Sequence, residues 1–204
     1  MTIETSIAFA IACFVVMATP GPGVMATIGR GMTHGFWQTQ YFVMGIALGD
    51  LTYLLSAIFG LAAIATHFEG VFTIIRWIGV AYLIYLGIKA WTAPPVDPRD
   101  IKVGSPKPVA GFLGGLFLTL GNPKAIMFYL GFLPAFIDMK NLSGTDIGIV
   151  VTIDVVVLVT TMATYAFLSS SARMILRSPR AIKYFNRSAG TVMIGTGAFI
   201  AIRN

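Results

Sequence analysis

Long apolar runs follow one another along this chain with only short polar connectors between them, and a water-soluble fold cannot bury that many such segments at once. Residues 7–27, 36–63, 72–91, 112–137 and 147–168 each match or exceed the ~20 residues an α-helix needs to cross a bilayer core. A sixth run, 189–202, is short for a span unless Tyr184 and Phe185 join it and Arg187 snorkels to the interface. Charged residues make up 11% of the chain, against roughly 25% in soluble domains. The expected fold is an all-α, multi-pass membrane protein of six transmembrane helices with the lipid bilayer as its solvent.

The net charge of +6 does not point to nucleic acid, because the basic residues are spread over connectors rather than gathered into a patch. In a membrane protein they report topology. Arg30, Lys89, Arg99, Lys102, Lys107, Arg173, Arg177, Arg180, Lys183 and Arg187 fall on one side of a six-span arrangement. Arg76, Lys140 and Arg203 fall on the other, and Lys124 lies within a span. The basic side is therefore expected in the cytoplasm with both termini outside. Glu4 and the lack of any Lys or Arg before Arg30 make the first run read as a retained helix rather than a cleaved signal. Cys13 is the single cysteine, so it forms no internal disulfide.

Two halves are visible. Residues 1–91 hold three runs, 92–109 form a linker with five prolines, and 110–204 hold three more, all within one transmembrane domain, 1–204. Each half opens with a run broken by proline. Thr19-Pro20-Gly21-Pro22 can be laid on Leu120-Gly121-Asn122-Pro123, and the following run of each half carries one acid, Asp50 or Asp154. Three spans is an odd number, so the second half must enter the membrane from the opposite face. The expectation is a 3+3 inverted repeat with Pro-broken first and fourth helices, an arrangement that can expose one site alternately to either side.

The breaks are where chemistry is expected. Pro20 and Pro22 lack backbone donors, and with Gly21 and Gly23 they prevent a regular helix from running through the segment. Backbone left unpaired at membrane depth is tolerated only inside protein or against a water-filled cavity. The substrate-binding residues expected here are Pro20, Gly21, Pro22 and Gly23 from the first break and Asn122, Pro123 and Lys124 from the second. Carbonyls and half-helix amides there could hold the charged groups of a zwitterion. Asp50, near the middle of its run, and Asp154, nearer the end of its own, are disfavoured by roughly 2.5–3.5 kcal/mol at a span centre. A bound proton, a substrate amine or a partner such as Lys124 would offset that cost, and both acids are expected to couple protons. Gly45 with Gly49, and Gly111 with Gly115, have the small-xxx-small spacing of close helix contacts, within one subunit or in a homodimer.

Enzyme chemistry is not expected. The chain has no His-Glu-x-x-His pair and no phosphate-binding Gly-Lys-Ser/Thr motif, and His34 and His67 fall in connectors. No cofactor and no metal site is expected. A cation carrier would call for clustered soft or acidic ligands, whereas Met25, Met44 and Met127 are scattered. A carrier for another small solute, or a passive channel lined by the same breaks, is the alternative reading.

The run Ala18-Thr19-Pro20-Gly21-Pro22-Gly23, the pair Gly49-Asp50 and the break Gly121-Asn122-Pro123-Lys124-Ala125 resemble the LysE/RhtB family of amino-acid exporters over nearly the whole chain. The resemblance implies a carrier of the bacterial cytoplasmic (inner) membrane. It implies export of amino acids or close derivatives, such as homoserine, threonine, leucine or homoserine lactone, by proton antiport. These motifs do not identify the substrate.

Overall fold

Proline decides where several of the helices start. A proline at the first helical position gives up an N–H that would be unpaired there in any case and brings φ already set for the helix. Pro22, Pro108 and Pro123 each open one. In the computed structural model, residues 1–19, 21–67, 69–92, 105–139 and 143–171 are described, with eight further positions between 183 and 198. Pro20, most of the linker and residues 172–182 of the basic stretch lie outside the described residues.

The described residues are helical almost throughout and include no strand. The helices are α1 (Ile3–Ala18), α2 (Pro22–His67), α3 (Glu69–Thr92), α4 (Pro108–Leu120), α5 (Pro123–Phe132) and α6 (Gly144–Ser171). A 3-10 turn, Leu133–Ala135, follows α5. Two segments, 22–61 and 144–170, have the length and mean hydropathy (1.8 and 2.2) to cross a membrane. α1 turns apolar side chains outward: Ile3, Ile7, Ile11 and Phe14 share one face and are each more than half exposed. Its other face buries Phe9, Cys13, Val16 and Met17. An apolar face turned out and another turned in is what a lipid-facing helix requires.

Several boundaries differ from the sequence reading. The connector expected around Arg30, His34 and Gly35 shrinks to Gly35 alone, whose φ of 79° and ψ of 174° fold α2 back on itself. That conformation is essentially restricted to glycine, so one residue suffices for the reversal. Gly23 then faces Ile46 and Arg30 lies over the Phe42 ring, so the two arms of α2 run antiparallel. Arg30, read as a connector residue, is 4% exposed. One Nη donates to the Ser105 carbonyl at 2.8 Å. Similarly, α4 starts at Pro108, inside the segment read as linker, and α6 at Gly144 rather than 147. The described positions Lys183, Tyr184, Arg187, Gly190, Thr191, Ile194, Gly195 and Ala198 are helical, so helix begins before the expected run at 189. Arg187 stacks on Trp91 at 4.8 Å, and Gly87 closely approaches the backbone of Gly190.

Glycine sets the tightest seam. A Cβ on Gly45 would collide with the backbone of Phe112 and Leu116, and one on Gly115 with the backbone of Phe42 and Ile46. The two small-residue pairs noted in the sequence therefore pack on each other within the chain, joining the second arm of α2 to α4. These helices run in the same direction, with Gly45 beside Leu116 and Gly49 beside Thr119. α1 and α6 also run alike, with Cys13 beside Asp154 and Ala18 beside Tyr165. Phe9, Phe128, Phe132 and Phe136 fill the space between α1 and α5, with successive centroids 4.5 to 6.3 Å apart.

Candidate functional site

α1 ends at Ala18 and α2 starts at Pro22; α4 ends at Leu120 and α5 starts at Pro123. Four helix ends thus meet in the interior, and each leaves backbone groups that the helix itself cannot pair. The carbonyl ends are capped from neighbouring helices. Tyr165 on α6 donates its hydroxyl to the Ala18 carbonyl at 2.8 Å, and Tyr53 on α2 donates to the Leu120 carbonyl at 2.5 Å. Within the breaks, the Thr19 hydroxyl donates to the Val15 carbonyl at 2.6 Å and the Asn122 N–H to the Thr119 carbonyl at 2.9 Å.

Between the breaks lies a cavity of about 80 Å³. Gly21, Pro22 and Gly23 line it from the first break, Asn122 and Ala125 from the second, and Asp50, Thr19 and Thr119 add polar groups. Tyr129 also reaches the wall, and Val16, Met17, Val24, Ile46, Leu118, Phe128, Leu158 and Met162 make the rest of it apolar. A small solute with charged ends and an uncharged body matches such a lining.

Asp50 is 7% exposed and Asp154 1%, so the second acid is deep in the protein despite its place toward the end of its run. The two are joined through Tyr129 on α5, whose hydroxyl lies 2.5 Å from Asp50 Oδ2 and 2.8 Å from Asp154 Oδ1. The Cys13 thiol points at the same Asp154 oxygen from 4.0 Å. Asp50 borders the cavity, whereas Asp154 sits behind Tyr129. Of the other residues expected at the site, Pro20 lies outside the described residues. Pro123 and Lys124 occupy the first turn of α5, with side chains outside the description. Among the described residues, no three His, Cys, Asp or Glu side chains are grouped to hold a metal ion.

Tyr129 was not legible as a site residue. It is one of seven tyrosines, set in an apolar run, and only a buried phenol's need for a hydrogen-bond partner could have drawn attention to it. The same holds for Tyr165. Tyr53 carried a weak signal, standing one helical turn from Asp50.

Apolar faces turned outward, with helix ends and one buried acid gathered around an interior cavity, mark an integral membrane protein. The chain belongs to the LysE type translocator family, whose model matches residues 14–204. It is 30% identical over 191 residues to an uncharacterized membrane protein of Synechocystis sp., covering 94% of this chain and 92% of that one. It is 26% identical to a homoserine/homoserine lactone efflux protein of Salmonella typhimurium, with 98% of each chain covered. A leucine efflux protein of Enterobacter sp. is 27% identical, covering 95% of this chain and 93% of its own. No solved structure matches the chain.

Proposed function

We propose that this protein exports an amino acid or close derivative from the cytoplasm across the bacterial inner membrane, by proton antiport and alternating access. The observation that carries the reading is the cavity itself, lined by both helix breaks and by the buried acid Asp50. The first turns of α2 and α5 border the cavity through Gly23 and Ala125, and a helix N-terminus is a setting suited to a carboxylate. Asp50 offers a counter-charge for an amine, and the apolar wall favours an uncharged side chain. The efflux proteins of Salmonella typhimurium and Enterobacter sp. are named for homoserine, its lactone and leucine, solutes of that description. The family assignment supports transport rather than catalysis.

The 3+3 inverted repeat supplies the alternation. Exchanging the halves would carry α1 onto α4 and the second arm of α2 onto α6. The like-directed pairing of that arm with α4 would then overlay the like-directed pairing of α6 with α1. Asp50 would exchange with Asp154. Such a repeat lets one arrangement of helices open to the cytoplasm and its two-fold-related arrangement open outside.

The test is transport in proteoliposomes with a panel of labelled amino acids, with and without an imposed pH gradient. Gradient-driven accumulation of an amino acid, abolished by Asp50→Asn with the protein still folded and inserted, is the expected result. Flux that never exceeds equilibration, or equal accumulation in the variant, would refute proton antiport through Asp50.

A further inference from the structure

A phenol carries a single proton, yet the Tyr129 hydroxyl lies within hydrogen-bonding distance of two carboxyl groups. It can donate to only one of them. To bond the other it must accept, which requires a proton on that second carboxyl. Two ionised carboxylates flanking one hydroxyl repel strongly in a buried site. Of the surrounding elements, α1 contributes the Cys13 thiol and α4 no titratable group, while α5 also carries Lys124, whose side chain lies outside the description.

We propose that Asp50, Tyr129 and Asp154 act as a single-proton unit, with the proton on Asp154 in this conformation and Tyr129 as the residue that positions it there. Asp154 is 1% exposed and shut off from the cavity by Tyr129, where a charge is costliest, whereas Asp50 borders the cavity, where water or a substrate amine can offset one. The cavity-facing acid is thereby kept ionised and open to a substrate amine, while the acid behind the tyrosine holds the proton. Moving the proton to Asp50 breaks the O–H bond at Asp154 and forms one at Asp50. Where the proton crosses the hydroxyl, Tyr129 takes it from Asp154 as it gives its own to Asp50, and remains neutral. The negative charge passes to Asp154, the cavity loses its carboxylate, and a bound amine loses its counter-charge. Transfer of the proton to Asp50 would therefore release substrate, and uptake of a proton from outside by the ionised Asp154, followed by loss of one from Asp50 to the cytoplasm, completes the exchange an antiporter needs.

This inference rests on the proton-antiport reading, and two experiments separate the two. Infrared spectra of the wild-type protein in lipid should contain the C=O stretch of a neutral carboxyl, lost in Asp154→Asn and kept in Asp50→Asn. Absence of that band, or its survival in Asp154→Asn, would overturn the assignment whatever the transport result. In proteoliposomes, Tyr129→Phe should lower gradient-driven accumulation at least tenfold, and in the infrared spectrum the neutral-carboxyl band should shift as Asp154 loses its hydroxyl partner. Accumulation at the wild-type level, or a band unchanged from wild type, would overturn the positioning role. A wild-type protein that exchanges substrate but ignores the pH gradient would instead refute proton antiport itself.

Discussion

Gly115→Ala should damage this protein while Gly114→Ala, one residue away on the same helix, should not. A Cβ at Gly115 points into the α2 seam, where the Ile46 backbone nitrogen would stand 2.9 Å away and the Phe42 carbonyl oxygen closer still. Ordinary contact begins near 3.4 Å, so the Ile46 atom alone requires the helices to part by roughly 0.5 Å. Both obstacles are backbone and cannot rotate away. At Gly114 the nearest atoms are in the Phe42 ring at 3.9 Å, which is normal packing. Overpacking of this kind costs about 1–3 kcal/mol. By the scale of soluble domains of this length, that is about 2–12 °C in Tm. Alanine should slightly favour helix at both positions, so a loss at Gly115 alone isolates the steric term. The double variant Gly45→Ala, Gly115→Ala should cost less than the sum of its parts, because separating the helices once relieves both clashes. The assay is thermal unfolding of the purified protein in detergent, monitored by size-exclusion chromatography. Equal Tm for Gly114→Ala and Gly115→Ala would refute the seam as described.

Three other perturbations probe different parts of the structure. Gly35→Ala introduces no steric contact, since nothing lies within 4 Å of the new Cβ, but it strains a φ of +79° and should lower stability by about 1–3 kcal/mol in the same melt. Tyr165→Phe leaves the Ala18 carbonyl without its donor and should cost about 1–3 kcal/mol; an unchanged Tm would show that the carbonyl is paired otherwise. Gly23→Leu fills the cavity from the first break, whereas Gly23→Ala meets only Ile46 at 3.8 Å and Leu118 at 4.0 Å. Transport in proteoliposomes should be abolished by leucine and retained by alanine, with both variants eluting as folded protein.

What the sequence determined by itself was largely a matter of composition and spacing along the chain. Apolar runs of membrane-crossing length fix the helical class because lipid leaves backbone groups no other partner. The segments around Pro20 and Pro123 marked where helix could not continue, because a missing N–H is a local property. Asp50 and Asp154 could be singled out because a carboxyl in an apolar run is costly wherever its neighbours turn out to lie. Properties that depend on residues distant in the chain were decided only by the tertiary structure. The glycine spacing predicted close contact but could not say that Gly45 and Gly115 would meet each other within the subunit. The reversal at Gly35 leaves Arg30 on a helix, buried against Phe42, which no local pattern near Arg30 indicates. Tyr129 is the clearest case. Its neighbours in sequence are apolar, and its hydroxyl acquires meaning only when α2 and α6 bring two acids, 104 positions apart, to either side of it. Helical periodicity states which face a residue occupies, but which helices meet there is set by packing of the whole bundle.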